Sequence, residues 1–184
     1  MRRMLSASVI VLAQFCALLL FGREALAGML QILPLAGQAY GIDGNNIVGS
    51  TAISNVGFLY DGLSYNQIAY PGAIGTVAYG ISGKNIVGTY YDGSNHSFIY
   101  DGTTYTTFSG PPGSTSVTTY GIAGEKIFGS YGAGGKGHGF VYDAGSWTTI
   151  DNPLGTKGTR LFGISGNNIV GSYTNSLGRE LGFL

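Results

Sequence analysis

Charged side chains make up only 10% of the 184 residues, proline occurs five times and cysteine once. The single cysteine, Cys16, sits inside an apolar N-terminal run, so the rest of the chain has no disulfide, thiolate nucleophile or cysteine metal ligand. Downstream of Ala27, six Lys and Arg stand against eight Asp and Glu, a net charge of −2 without a basic stripe, which argues against a nucleic-acid partner. No Gly-x-Ser-x-Gly elbow is present, and the carboxylates fall mostly in turn-like contexts rather than in a converging pattern.

The N-terminus predicts export. Arg2 and Arg3 precede an apolar run from Leu5 to Phe21 that is short for a membrane span, and Ala25-Leu26-Ala27 offers the small residues a signal peptidase accepts. Residues 1–27 are read as a signal peptide cleaved after Ala27, with an uncleaved anchor as the alternative. Residues 28–184 form one repeat domain, secreted or periplasmic, that leaves the membrane after cleavage.

What the chain has in excess is glycine, 33 residues, more than twice the usual share of about 7%, together with 13 tyrosines and 9 phenylalanines. They are organised as a repeat. Tyr40-Gly41-Ile42-Asp43-Gly44-Asn45-Asn46-Ile47-Val48-Gly49-Ser50 returns from Tyr79, from Tyr120 and, with an aromatic swap, from Phe162; the second residues of the copies are 39, 41 and 42 positions apart. A second block follows each copy: Phe58-Leu59-Tyr60-Asp61-Gly62, Phe98-Ile99-Tyr100-Asp101-Gly102, Phe140-Val141-Tyr142-Asp143, and finally Gly182-Phe183-Leu184. Thr-rich or aromatic stretches at Tyr65–Ile68, Tyr105–Phe108 and Trp147–Ile150 come third.

Each repeat therefore reads as four strands, a to d, with Gly-Asn-type turns between a and b and Asp-Gly turns between c and d. Adjacent apolar residues such as Ile86-Val87 and Phe98-Ile99 place cover on both sheet faces, which neighbouring blades would supply. The glycines of strand a (Gly41, Gly80, Gly121 and Gly163) suit an innermost strand where backbones crowd. The fold expected is all-β, a small β-propeller of four four-stranded blades. The fourth repeat lacks a strand d, and Met29–Pro34 has the pattern of one, so residues 28–34 are expected to pair with the last blade and close the ring. A β-sandwich and an open β-solenoid are the competing architectures.

These blocks resemble the HAF-type repeat of predicted extracellular bacterial proteins, with its Gly-Ile-x-x-x-Gly-x-Val-Val-Gly-x-Ser run and later His-Ala-Phe element. The latter is present here as His96-Ser97-Phe98 and His138-Gly139-Phe140, but as Val56-Gly57-Phe58 and Leu181-Gly182-Phe183 elsewhere. The resemblance spans residues 30–184. It implies export and a repeat fold, and no reaction.

Few motifs point to chemistry. Gly132-Ala133-Gly134-Gly135-Lys136-Gly137 matches Gly-x-Gly-x-x-Gly, but a phosphate cradle needs a following helix, and a strand follows here; it reads as a b-to-c loop. His96 and His138 occupy equivalent places in successive repeats and lack a third ligand, which suits packing better than zinc. Asp61, Asp101 and Asp143 are turn residues before they are calcium ligands. No cofactor or metal is expected, and no catalytic residue is assigned. The b-to-c and d-to-a connections vary among the copies and share one side of a propeller, which makes that side the expected binding face. Its candidate residues are Tyr91, Asp92, Asn95, His96, Lys136, His138, Lys157, Arg160, Arg179 and Glu180. The function expected is an exported, non-catalytic binding or scaffolding module for an extracellular glycan or protein. The alternative is a carboxylate-dependent hydrolase or lyase acting on an extracellular polysaccharide.

Overall fold

A computed structural model describes residues 37–52 and 55–184. The described part is all β, without a helix. Repeat one contains β1 (Gly37–Asp43), β2 (Asn46–Thr51), β3 (Gly57–Tyr60) and β4 (Tyr65–Ile68). Repeat two contains β5 (Gly75–Ser82), β6 (Asn85–Tyr91), β7 (Asn95–Tyr100) and β8 (Tyr105–Phe108). Repeat three follows with β9 (Ser116–Ala123), β10 (Lys126–Ala133), β11 (Lys136–Asp143) and β12 (Ser146–Ile150), and repeat four with β13 (Gly158–Ser165), β14 (Asn168–Thr174) and β15 (Glu180–Phe183).

Within each repeat, successive strands pair antiparallel in chain order, as the four-strand reading required. Repeats three and four are joined into one seven-stranded sheet by a single parallel bridge, Gly137 to Gly158. The sheets curl in a propeller-like manner. The strand expected at 28–34, and the ring closure built on it, lie outside the described residues, as does the signal segment.

Local chemistry sets the strand ends. The a-to-b turns pass through Gly44, Gly83, Gly124 and Gly166, all with φ between 57° and 62°, where a side chain would crowd the preceding carbonyl. The c-to-d turns are held by aspartate: Asp61 Oδ1 accepts from the amides of Leu63 and Ser64 at 2.9 and 2.8 Å, and Asp101 Oδ1 from those of Thr103 and Thr104, both at 2.8 Å. The glycine-rich 132–137 segment is the tip of the β10–β11 hairpin, with Gly134 and Gly135 at the turn.

The aromatic residue that opens each repeated block has a definite job. Tyr40, Tyr79, Tyr120 and Phe162 each fall at a register shift in the a–b pairing, one extra residue on the inner strand. Such bulges bend a strand and re-aim its side chain. Here the rings follow one another from repeat to repeat, with centroid separations of 5.1 Å (Tyr40–Tyr79), 6.4 Å (Tyr79–Tyr120) and 5.3 Å (Tyr120–Phe162). The next residue is glycine, and in the first two repeats strands a nearly touch there: a Cβ on Gly41 would sit 2.8 Å from the Tyr79 carbonyl oxygen and one on Gly80 2.8 Å from Gly121 Cα.

Core layers lie between consecutive repeats. Val48 and Ile68 of repeat one pack with Ala78, Ile81, Ile86, Tyr90 and Phe98 of repeat two. Val87 and Phe108 of repeat two pack with Ile127 and Phe140 of repeat three. The second junction also has a hydrogen-bonded seam. Ser97 Oγ donates to the Val117 carbonyl (3.0 Å), the Thr119 amide donates to Ser97 Oγ (3.1 Å), and Thr119 Oγ1 donates to the Gly88 carbonyl (2.9 Å). Both hydroxyls are fully buried and fully used. At the third junction the position of Ser97 is taken by Gly139 and that of Thr119 by Leu161, which is wholly buried, so packing replaces the polar seam. At the two ends of the series the corresponding positions are open: Ile42 is 70% exposed where Ile81 is 6%, and Val170 is 44% exposed where Val87 is 0%.

Candidate functional site

Strands b and c and the entering end of strand a frame an opening between neighbouring repeats, on the side of the b-to-c and d-to-a connections. Two such clefts are well formed. The first, about 230 Å³, lies between repeats one and two and is lined by Thr51, Asn55, Ile74, Val77, Tyr91 and Asn95 among others. The second, about 400 Å³, lies between repeats three and four, with Thr118, Ser130, Lys136, Lys157, Arg160 and Ser172 in its walls.

The clefts are equivalent, and the backbone proves the equivalence. The Ile74 amide donates to the Tyr91 carbonyl (2.7 Å), the Thr115 amide to that of Gly132 (2.8 Å), and the Lys157 amide to that of Thr174 (3.0 Å). Three repeats thus use one backbone slot just ahead of strand a, filled by Ile74, Thr115 and Lys157. A second slot faces strand b: Val77 opposes Thr89, Thr118 opposes Ser130, and Arg160 opposes Ser172. The d-to-a loops are set alike, since the Tyr70 amide donates to Thr76 Oγ1 and the Asn152 amide to Thr159 Oγ1, each at 3.0 Å.

The second cleft is polar throughout. Its floor is the Gly137–Gly158 bridge. Three cations line it and no carboxylate does. The acids stand just behind. Asp151 Oδ2 lies 3.2 Å from Lys136 Nζ and 2.8 Å from His138 Nδ1. Glu180 Oε1 lies 3.2 Å from Arg160 Nη1 and accepts from Ser172 Oγ at 2.6 Å. The Ser172 hydroxyl, and after it the Arg160 guanidinium, hold the Glu180 carboxyl below its ordinary value. Lys157 enters no ion pair among the described residues; its ammonium reaches over the β14–β15 turn towards Gly178.

The structure divides nine of the ten sequence candidates into two groups. Tyr91 and Asn95 line the first cleft, with Asp92 Oδ1 and His96 Nε2 beside them at 3.3 Å from each other. Lys136, Lys157 and Arg160 line the second, with Glu180 and His138 supporting from behind. Arg179 is not in either lining; its backbone amide donates to Asn175 Oδ1 in the β14–β15 turn. The two histidines share a packing role: His96 stacks on Tyr90 and His138 on Tyr131, its direct cross-strand partner in each case, at 5.0 and 5.1 Å. Both ring nitrogens of His138 face acceptors, Asp151 and the Ala133 carbonyl at 3.3 Å. Sequence reasoning passed over Asp151 and the hydroxyl residues of the second cleft. Threonine and serine are ordinary strand residues here, and nothing local marks those that face a cleft.

Neither a family model nor a curated protein matches the sequence. Among solved structures, the fold is similar to acylaminoacyl peptidase from Pyrococcus horikoshii in its orthorhombic crystal form, at 12% identity and a TM-score of 0.52. The match covers 74% of this chain and 23% of that one, so the protein spans about a quarter of the length of that structure. At this identity the likeness is one of fold. The chain is an all-β repeat protein of propeller-like curled sheets.

Proposed function

We propose that the protein is an exported binding or scaffolding module, non-catalytic, built as a β-propeller of four blades of the HAF-repeat type. The signal segment is cleaved after Ala27, and residues 28–34 supply the outermost strand of the fourth blade and close the ring. The partner is an extracellular glycan. The observation that carries this reading is the second cleft: an open, polar concavity of about 400 Å³ walled by strand-borne Thr and Ser hydroxyls on a rigid scaffold. Fixed hydroxyls and charged groups beside water-filled space match the hydrogen-bonding groups of a sugar chain without needing a deep apolar pocket. The acids nearest the cleft, Asp151 and Glu180, are engaged by Lys136, His138, Arg160 and Ser172. This favours a structural over a catalytic use of them.

The test is equilibrium binding of the exported, processed protein to a panel of extracellular oligosaccharides, beside a Thr118→Val/Ser130→Val variant. Each lost hydroxyl should cost about 1 kcal/mol of binding, so a genuine ligand should weaken roughly thirtyfold for the pair. A panel without binders, at ligand concentrations up to the millimolar range, would rule out the glycan reading and leave a protein partner.

A further inference from the structure

The two backbone slots at the mouth of each inter-repeat opening carry uncharged residues in repeats two and three, Ile74 with Val77 and Thr115 with Thr118. In repeat four both carry cations, Lys157 and Arg160. Lys136, at the tip of the β10–β11 hairpin, adds a third from the facing wall. Half of the six cations downstream of Ala27 thus line one cleft, in a stretch that is otherwise sparingly charged and whose eight acids outnumber its six bases. Concentrating like charges in one concavity is unfavourable unless an anion offsets them. Two of the three are offset from behind, by Asp151 and Glu180; Lys157 is not. The carboxylates stay out of the lining, so the surface a ligand meets is cationic and hydroxylic.

We infer that the second cleft selects an anionic saccharide, with its carboxylate or sulfate group against Lys157 and Arg160 and its ring hydroxyls against Thr118, Ser130 and Ser172. The inference rests on the glycan-binding reading and adds the charge class of the ligand. The planar guanidinium of Arg160 suits a carboxylate or sulfate edge, and the Glu180 contact that orients it also competes with the ligand. Attraction between exposed charges is screened by salt over about 8 Å at physiological ionic strength, so the preference should be salt-sensitive.

The experiment is calorimetric titration of the processed protein at low and at physiological salt. The probes are four: a hexamer of galacturonate, a sulfated chondroitin hexasaccharide, neutral cellohexaose, and inorganic sulfate alone. The expected result is that at least one acidic hexamer binds about tenfold or more tightly than cellohexaose, and that raising salt narrows the gap. The chondroitin chain carries uronate carboxylates as well as sulfates, so tighter binding of it than of galacturonate hexamer shows a gain from sulfate, and the reverse order shows that carboxylate alone suffices. Lys157→Ile/Arg160→Val installs the residues that repeat two carries in the same slots, so the fold tolerates them at this backbone position; its acidic and neutral affinities should converge. Cellohexaose binding as tightly as the acidic hexamers would overturn the anion preference while leaving the glycan module intact. Unchanged acid binding by the folded double variant would place the ligand elsewhere, and inorganic sulfate binding as tightly as the hexamers would make the cleft a simple ion site. No binding by any saccharide would sink both readings together.

Discussion

The two clefts are the same piece of architecture with different furniture. Each is framed by strands a and b of adjoining repeats, with the same amide-to-carbonyl bond at its mouth. The first presents Ile74, Val77 and Tyr91; the second presents Lys157, Arg160 and Thr174 at the corresponding places. The amide-to-carbonyl bond and the a–b register are repeated, while the side chains in the slots differ and the second cleft alone has the Gly137–Gly158 bridge. A repeat fold can therefore keep its hairpin frame and vary the rim residues for recognition.

The comparison breaks most strongly in the core. Phe98→Ala removes a fully buried ring from the junction below the first cleft and should cost about 3–5 kcal/mol, read as a lower midpoint in urea unfolding. Unfolding in one step would show that the repeats depend on one another; a change confined to one half would show separable junctions. Next is Thr119→Val, which removes the buried hydroxyl from the seam between repeats two and three and leaves the Gly88 carbonyl short of a partner, while the backbone amide at 119 keeps its bond to Ser97 Oγ. It should cost about 1–3 kcal/mol. Adding Ser97→Gly, which takes the hydroxyl partner from the amide at 119 and from the Val117 carbonyl, should deepen that loss.

Ile74→Lys/Val77→Arg would sharpen the same contrast by giving the first cleft the cations of the second. The expected outcome is a new, salt-sensitive affinity for acidic saccharides, within about tenfold of the native cleft and measurable in a Lys157→Ile/Arg160→Val background. Its failure would show that the facing Lys136 wall is needed as well as the two slots. A smaller effect is expected at the turns. Backbone amides, from Ser64 then Leu63 and from Thr104 then Thr103, hold the carboxyls of Asp61 and Asp101 below the ordinary aspartate value of 3.8. A lowered folded value means stabilisation that is present above that pH and lost as the pH falls through the folded value. Melting temperature should thus decline below pH 3.8, and the decline should be shallower in Asp61→Asn/Asp101→Asn. Smallest of all is Lys136→Met. Its ion pair with Asp151 is partly exposed and should contribute no more than about 1 kcal/mol to stability, detectable by urea unfolding at low salt and weakened at high salt.

Much of this organisation was legible in the chain. The repeated Ile-x-x-x-x-Ile-Val-Gly spacing located the a–b hairpins, because a tight turn requires glycine at a set offset between two strands. The Asp-Gly pairs located the c–d turns for the same local reason. The glycine of strand a marks a close backbone approach at Gly41 and Gly80, whereas at Gly121 and Gly163 the Phe128 and Val170 side chains occupy the space instead. The aromatic before it was seen to recur, but its role as a bulge residue was not, since a register shift is a property of two strands. The residues of the variable connections lie in or beside the two clefts, apart from Arg179. Their division between two clefts was missed because the d-to-a loops differ in length: the slot residue follows Pro71 by three positions at Ile74 and Pro153 by four at Lys157, so counting along the sequence does not align them.

By itself, then, the sequence determined the all-β class, the number of repeats, the turns, and the side on which variable residues collect. All of these follow from spacing and backbone chemistry within about forty residues. Only the tertiary structure decided which side chains meet. Lys136 and Lys157 face one cleft because Gly137 and Gly158 pair across two repeats. Ser97 and Thr119 form a seam because repeat two packs on repeat three. Those contacts depend on how one sheet lies against the next, an arrangement set by packing across the inter-repeat cores that no local pattern in the chain records.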